Sequence, residues 1–383
     1  MADICQFSWS LLCVLCVVGF SDGARSRAKA AKSQELKLIS YFTNSTSRNW
    51  VQNKFVRPSR AYDEPVVVKI SFSLINILDI TANLQLFKFE GLVDLEWIDY
   101  RIMWLPSEHD SINKLLLPAK EVWVPDITIK NSLDSSTRLC RGLVIFSSDG
   151  GAFCSSKLSA TVTCQMTMKH FPFDRHKCKA VFGSATYDGS QLSLVNRTNL
   201  IEVDGMYENV EWLYVNGSIT KATEYFSGRN YPEVRFEYEL ERWSPARILM
   251  MVVPSCIMSL MVPLVLVAVP GEKTALGIGL EVGFLFLLIA NLPQSAGPVN
   301  EIPYLVLYYI INFLLVAAAL VTSQIIVACA NKPAEFAVNP ELKKYVHSRD
   351  IGRLVSWILF GIFMLSSVTM TCLLFYALVA KVP

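Results

Sequence analysis

The chain has 383 residues, of which 52% are hydrophobic and only 18% are charged, and its mean hydropathy is +0.36. Soluble globular proteins usually carry about 25% charged residues, so this composition argues against an entirely soluble protein. The formal net charge is only +2, so no strong electrostatic field indicates a nucleic-acid partner or an acidic substrate.

The amino-terminal segment is typical of a secretion signal. Its apolar core, Leu11–Phe20, is too short to span a membrane and is followed by small residues. We expect residues 1–23 to be a signal peptide, although the segment carries Asp3 and lacks the usual basic residues at its start. Residues 25–40 then predict one short amphipathic helix.

Two further features agree with an extracellular domain over residues 24–244. Its three Asn-x-Ser/Thr glycosylation signals are Asn44, Asn196 and Asn216. An even number of cysteines, suited to disulfides in an oxidising compartment, also falls here: Cys140, Cys154, Cys164 and Cys178. The sequence leaves open whether Cys140 and Cys154 pair with each other.

Short strand-like segments fill this domain. Period-two alternation, or a hairpin turn between two apolar runs, marks residues 65–74, 84–91, 143–146, 152–154, 158–165 and 234–240. The alternation is weakest over 84–91, where both faces mix apolar and polar side chains. Many short strands without helical crossovers predict a β-sandwich.

Four apolar runs follow the β-rich part, each with 19 or more residues: Ala246–Val269, Thr274–Leu292, Ile302–Cys329 and Leu354–Val379. A helix of that length crosses about 30 Å of hydrocarbon. Four such runs in succession rarely occur as buried helices of one soluble domain. We therefore predict four transmembrane helices, three within residues 245–330 and one within residues 354–383.

The link between the third and fourth runs, residues 331–353, predicts the membrane topology. It carries five basic residues against three acidic ones. Because an excess of Lys and Arg places a short loop in the cytoplasm, this link agrees with an extracellular amino terminus followed by three crossings. The fourth crossing returns the carboxyl terminus to the outside of the plasma membrane.

Several motifs follow one another along the chain. Cys164 and Cys178 enclose thirteen residues around the sequence Phe-Pro-Phe-Asp. The other motifs are Trp97-Ile98-Asp99, Trp123-Val124-Pro125-Asp126, Phe182-Gly183-Ser184, Tyr187-Asp188-Gly189, Pro254 and Gly271-Glu272-Lys273. In this order they resemble those of the Cys-loop receptors, which are pentameric ligand-gated ion channels, and most closely the cation-selective nicotinic and serotonin-type branch. The resemblance implies an extracellular β-sandwich followed by a four-helix transmembrane bundle, assembled as a pentamer.

The resemblance also implies a disulfide between Cys164 and Cys178. On the chain-entropy model, a disulfide closing a loop of this length stabilises the fold by about 3 kcal/mol. An apolar loop tip would be a liability in water, so we expect it to rest on the membrane domain, against the linker Pro293–Pro303, and to pass ligand-driven motion to the pore. The predicted coupling residues are Phe171, Pro172, Phe173 and Asp174. The family often has a cis proline here, so a cis bond before Pro172 is expected. A loop that only stabilises the fold is the alternative.

The second apolar run predicts the pore. Helical spacing places six residues on one face: Glu272, Ala275, Gly279, Val282, Phe286 and Ile289. In a pentamer, Glu272 forms a ring of carboxylates that attracts cations, whereas the alternative is an acid that only favours the helix dipole. The small hydroxyl residues and the midway leucine of related cation channels are missing. This difference predicts a bare apolar gate, with a low conductance or a need for partner subunits.

Much of the aromatic box that holds a cationic amine in this family is missing from the chain. Leu92, Lys130 and Ala185 stand where the resemblance implies aromatic residues. Tyr225 and Tyr231 remain, on a hairpin without a vicinal cysteine pair. We therefore predict no response to acetylcholine or serotonin. The candidate ligand-binding residues are Leu92, Lys130, Ala185, Tyr187, Tyr225, Arg229 and Tyr231.

These observations predict a ligand-gated, cation-selective channel subunit. It would bind an unidentified small-molecule agonist, anionic or zwitterionic if Lys130 and Arg229 face the ligand rather than solvent. It would conduct monovalent cations and form a homopentamer or a heteropentamer with related subunits. A modulatory or non-conducting subunit that needs a partner is the alternative. No constellation of residues indicates an enzyme, so we expect no cofactor and no bound metal.

Overall fold

The structure is a computed structural model that describes residues 34–43, 54–134, 139–198, 201, 203, 206–243, 245–269, 271–295, 302–331 and 348–379. The predicted signal peptide, the sequon at Asn44 and residues 332–347 of the predicted cytoplasmic link lie outside these residues. The described part consists of a β-rich domain followed by long apolar helices.

A short amphipathic helix, α1 (34–43), precedes the strands, as the sequence predicts. Leu38 and Phe42 lie one turn apart on the same helix face and are both buried. Tyr41, on another face, is exposed. The Phe42 ring contacts Trp104, with the ring centroids 6.2 Å apart, so α1 packs against the β-rich domain through one face.

In the described residues, ten strands form the two sheets of a β-sandwich, which confirms the predicted fold class. The strands are β1 (Val66–Thr81), β2 (Leu86–Ile98), β3 (Lys114–Pro118), β4 (Ile127–Ile129), β5 (Leu143–Ser147), β6 (Gly151–Thr163), β7 (Arg175–Ser184), β8 (Leu192–Asn196), β9 (Trp212–Phe226) and β10 (Arg229–Arg242). Six strands pair in the order β3-β5-β6-β2-β1-β8 and four in the order β4-β7-β10-β9. The predicted hairpin is β5–β6.

Strand boundaries differ from the predictions at bulges and turns. β1 continues to Thr81 through two register shifts, and such bulges break the period-two pattern that reveals a strand in sequence. β2 starts at Leu86 rather than at residue 84, because a 3-10 turn, Ala82–Leu84, with Gln85 at φ 55°, occupies the predicted start. The alternation over 158–165 is the second half of β6, which ends at Thr163.

Aromatic side chains from both sheets meet in the core around Phe72 on β1. Its ring lies 5.5 Å from Phe89 on β2 in the same sheet, and 5.3 and 5.5 Å from Phe182 and Phe236 in the other sheet. Gly91 on β2 lies beneath this ring: a Cβ there would stand 2.2 Å from the Phe72 ring and 2.8 Å from a backbone oxygen. The absence of a side chain at Gly91 therefore makes room for the aromatic cluster.

Four helices in the described residues are long and apolar enough to cross a membrane, and they match the four apolar runs. They are α2 (Pro245–Val267), α3 (Lys273–Ser295), α4 (Tyr304–Asn331) and α5 (Ser348–Val379). α2 contains a π-helical segment, Ile248–Val252, directly before Pro254. A proline lacks the N–H that a regular helix needs at that point, so a wider turn before it is a common adjustment.

A buried ion cluster joins the β-sandwich to the start of α2. The Arg242 guanidinium at the end of β10 donates to both carboxylate oxygens of Asp174, at 2.8 and 3.3 Å, and pairs with Glu211. His176 donates to Asp174 at 2.5 Å. Burial opposes ionisation of Asp174, but the His176 hydrogen bond and the Arg242 charge outweigh it and hold the Asp174 pKa below its usual range.

We expect Gly91→Ala to lower the free energy of unfolding by about 1–3 kcal/mol, because the added methyl group overpacks the core against Phe72 and a backbone oxygen that cannot move aside. The measurement is thermal denaturation of the full chain in detergent. Gly142→Ala is the control, because its Cβ would meet nothing within 4 Å. Equal stability of the two variants would contradict the packing argument.

The Asp174 carboxylate stabilises the fold at neutral pH, because its folded-state pKa is lowered, and this contribution is lost as the pH falls through that pKa. We expect Asp174→Asn to lower the free energy of unfolding by about 3–5 kcal/mol at pH 7, since it removes the buried one of the two carboxylates that pair with Arg242. The difference from wild type should narrow below about pH 4. Denaturation followed by tryptophan fluorescence across this pH range measures both effects.

Glu241→Gln is the matched control for Asp174→Asn. Glu241 also pairs with an arginine, Arg175, at 2.7 Å, but both side chains are partly exposed. Removal of this pair should change stability by no more than about 1 kcal/mol. A similar loss in both variants at pH 7 would show that burial of the Asp174 pair is not what stabilises this junction.

Candidate ligand site, coupling loop and pore helix

Strand pairing places Lys130 on the four-stranded sheet. β4 ends at Ile129, and the Lys130 backbone N–H donates to the Val181 carbonyl on β7 at 2.8 Å. The Lys130 side chain then crosses Gly183, where an added Cβ would stand 2.9 Å from Lys130 Cε. Because Gly183 is paired with Glu233 on the next strand, the lysine reaches β10.

The Lys130 ammonium ends among two carboxylates and an aromatic ring. Nζ lies 2.7 Å from Glu224, 3.2 Å from Glu233 and 5.2 Å from the centroid of the Tyr231 ring. Glu224 and Tyr231 are directly paired across the β9–β10 hairpin, so one register brings both to the lysine. Glu233 is buried and also pairs with Arg235, at 3.1 Å.

The charges of this cluster stabilise one another. Partial burial works against the Lys130 charge, but the hydrogen bonds and charges of Glu224 and Glu233 outweigh it and raise the Lys130 pKa above its usual value. The Lys130 hydrogen bond and charge lower the Glu224 pKa in turn. The ammonium is therefore neutralised within the chain, which weakens the expectation that it attracts an anionic ligand.

The other predicted ligand residues lie on several different elements of the β-sandwich. Tyr225 and Arg229 are exposed at the tip of the β9–β10 hairpin, and Ala185 is exposed just after β7. Tyr187 packs against Trp123 instead, with the ring centroids 6.3 Å apart and its hydroxyl 3.4 Å from the indole nitrogen. Leu92 lies on β2 in the six-stranded sheet.

Glu224 and Glu233 were not among the predicted site residues. Their signal in the sequence was weak, since glutamates beside Tyr225 and Tyr231 are also typical of solvated strand positions. The register of the hairpin makes them site residues, because it brings both carboxylates to the Lys130 ammonium.

The predicted loop is closed by the Cys164–Cys178 disulfide, and the bond between Phe171 and Pro172 is cis. Phe171 is fully buried inside the chain, and Phe173 is half-buried. The structure also joins Cys140 to Cys154, with Cα atoms 5.8 Å apart. Both disulfides lie in the part that carries the sequons, where Asn216 is exposed and Asn196 is half-buried.

The disulfide loop contacts the apolar helices through residues just before its tip. The Lys169 carbonyl accepts a hydrogen bond from the Tyr304 N–H, at 3.0 Å, at the start of α4. The His170 ring packs edge-on against Tyr304, and its Nδ1–H donates to the Ala377 carbonyl near the end of α5, at 2.9 Å. Most of the expected contact surface, the linker Pro293–Pro303, lies outside the described residues.

The predicted pore residues share one side of α3. All six are exposed in the single chain: Glu272, Ala275, Gly279, Val282, Phe286 and Ile289. The opposite side is buried within the chain along a seam of Lys273, Gly277, Leu280, Phe284, Leu287 and Asn291. Gly277 lets α4 approach closely, since a Cβ there would stand 2.2 Å from Leu320. Glu272 directly precedes the first residue of the helix.

Comparison with known proteins finds acetylcholine receptor subunits among the relatives of this chain. Neuronal acetylcholine receptor subunit beta-4 of Gallus gallus is 27% identical over 278 residues, which cover 71% of this chain and 58% of the relative. Neuronal acetylcholine receptor subunit beta-2 of the same organism is 26% identical over 321 residues, which cover 82% of this chain and 62% of the relative. Acetylcholine receptor subunit alpha-like 2 of Drosophila melanogaster is 26% identical over 317 residues, 78% of this chain and 54% of the relative.

This chain thus spans about three fifths of the length of those two Gallus gallus relatives. A family model, the neurotransmitter-gated ion-channel ligand binding domain, matches residues 42–244, which is more than half of the chain. The matched range covers all ten strands and the Cys164–Cys178 loop. The protein therefore belongs to the family of the neurotransmitter-gated ion-channel ligand binding domain.

Proposed function

We propose that this chain is a subunit of a pentameric, cation-selective ligand-gated ion channel of the plasma membrane. A small-molecule agonist binds the extracellular β-sandwich at the interface between neighbouring subunits. Residues 1–23 are removed as a signal peptide, residues 24–244 lie outside the cell, and residues 331–353 are cytoplasmic. The four helices α2 to α5 cross the bilayer, which leaves both termini of the mature chain extracellular.

The observation that carries this proposal is the line of six exposed residues from Glu272 to Ile289 along α3, called the α3 stripe below. Exposed apolar residues alone would also fit a lipid-facing surface, but a glutamate in line with them is unsuited to lipid and favours an aqueous path. Val282, Phe286 and Ile289 are each more than half exposed in the single chain. Five copies around an axis would turn these stripes toward a shared pore.

The stripe supports both cation selectivity and closure. A ring of Glu272 carboxylates at one mouth attracts cations and repels anions. Above it, rings of Val282, Phe286 and Ile289 offer no polar partner to an ion. A narrow apolar constriction of this kind closes by excluding water, without a physical plug.

Contacts at the base of the sandwich support a coupling role for the disulfide loop. The loop touches the start of α4 and the end of α5 through Lys169 and His170. Asp174, on the same loop, holds Arg242, three residues before α2 begins. Motion of the loop relative to the sandwich would therefore act on three of the four helices.

A modulatory subunit is the second candidate. Two observations favour it: the apolar stripe gives an ion few partners, and Lys130 stands in the candidate ligand site. Expression of the chain alone and together with a related β subunit in oocytes separates the candidates. Currents from the chain alone support a self-sufficient channel, and currents only in the mixture support a modulatory subunit.

We expect Val282→Ser to produce a cation current without any agonist, because five hydroxyl groups at one level would let water wet the closed constriction. The measurement is the holding current of oocytes that express the full chain, compared with wild type at equal surface expression. Leu288→Ser is the control, since Leu288 packs toward the bundle of its own chain. The pore assignment fails if Leu288→Ser leaks and Val282→Ser does not.

In the Val282→Ser background, we expect Glu272→Gln to reduce the preference for cations over anions, because it removes the charge of the ring and keeps its shape. The reversal potential in a gradient of sodium chloride measures this preference. Glu281→Gln serves as control, because Glu281 lies on α3 but off the proposed pore face. An unchanged reversal potential in Glu272→Gln would show that Glu272 does not face the ion path.

A further inference from the structure

We propose that Lys130 is a specificity-determining residue whose ammonium fills a cation site formed by the Tyr231 ring and the carboxylates of Glu224 and Glu233, so that ammonium ligands are excluded from it. The proposal rests on the proposed function only for the position of the site at a subunit interface. The site itself is formed within one chain, and its test is a binding measurement that does not require the channel to open.

The surroundings of Nζ are those that an organic ammonium ion requires. An aromatic face attracts a cation through its quadrupole at the 5.2 Å separation seen between Nζ and the Tyr231 ring. Two carboxylates at 2.7 and 3.2 Å supply charge-assisted contacts. In this chain the cation is covalently attached, so it occupies the site at an effective concentration that a free ligand must exceed.

The charge balance of the cluster explains why the site is closed to other cations. Lys130 and Arg235 carry two positive charges, and Glu224 and Glu233 carry two negative ones. The cluster is therefore neutral, and a second ammonium ion would gain nothing from it. Without the Lys130 charge, the cluster would carry one net negative charge beside an aromatic face.

The site is open enough to receive a ligand once the lysine is gone. The Glu224 side chain is 52% exposed, so its carboxylate can be reached from solvent, whereas that of Glu233 is 4% exposed and lies at the bottom. The aliphatic part of Lys130 lies over Gly183, which has no side chain to fill the space. A shorter residue at position 130 therefore leaves a recess lined by the Tyr231 ring and both carboxylates.

The test measures binding of tetramethylammonium to the purified full chain in detergent. A ligand that binds the folded state raises its melting temperature in a saturable way. We expect Lys130→Met to be stabilised by tetramethylammonium chloride relative to equal sodium chloride, with an apparent Kd about tenfold lower than that of wild type. Methionine keeps an unbranched, apolar side chain as far as the ε position and lacks the charged terminal nitrogen.

Two variants serve as matched controls. Lys130→Arg keeps a cation in the site and should respond like wild type. Lys130→Met combined with Tyr231→Leu removes the aromatic face and should lose the gain. The proposal is overturned if Lys130→Met binds tetramethylammonium no better than wild type, if wild type itself binds it with the lower Kd, or if the gain persists without the ring.

A second measurement needs no change at Lys130 and applies if its variants fail to fold. Acetic anhydride modifies lysines only in their neutral form, so a lysine held as a cation in the site reacts slowly. We expect Lys130 in the folded wild type to be acetylated several-fold more slowly than the exposed Lys221 on β9, and Glu224→Gln to accelerate it. Equal rates for both lysines in wild type would contradict the proposal, whether or not the channel conducts.

Discussion

The buried pair of Arg242 and Asp174 is the interaction on which the junction between the two parts of the molecule depends. The guanidinium lies between the rings of Phe171 and Trp212, at 5.3 and 4.2 Å from their centroids. Its side chain is only 4% exposed, so the charge is stable there only while its carboxylates remain in place. Any rearrangement of the disulfide loop must therefore either carry Arg242 with it or separate Arg242 from the Asp174 carboxylate.

β10 connects the Lys130 site with this buried pair. One end of the strand carries Tyr231 and Glu233, which form the Lys130 site. The other end carries Arg242 and continues into α2. Fourteen residues of strand span about 45 Å, and the strand is paired on both sides from Glu233 to Glu241. Under the proposed function, a displacement at the candidate ligand site would pass along this paired strand to the start of α2.

The site at the ligand end combines an aromatic ring and two carboxylates, which suit a cation, with a cation of its own, the Lys130 ammonium. A receptor subunit of this kind would detect a ligand that does not depend on an ammonium group at Tyr231, or would leave detection to a neighbouring subunit. The apolar stripe on α3 also fits a subunit that needs partners, because a pore lined by these residues favours the closed state.

The sequence by itself determined the fold class, the four apolar helices, the loop cysteines and the stripe on α3, because each follows from local periodicity or from motifs within one segment. Tertiary structure alone decided that Lys130 is neutralised: its partner Glu224 lies 94 residues away, and only the register of β9 and β10 brings the two together. It also decided that Lys169 and His170 of the disulfide loop contact the described helices. Such pairings depend on how separate segments pack, which no local pattern encodes.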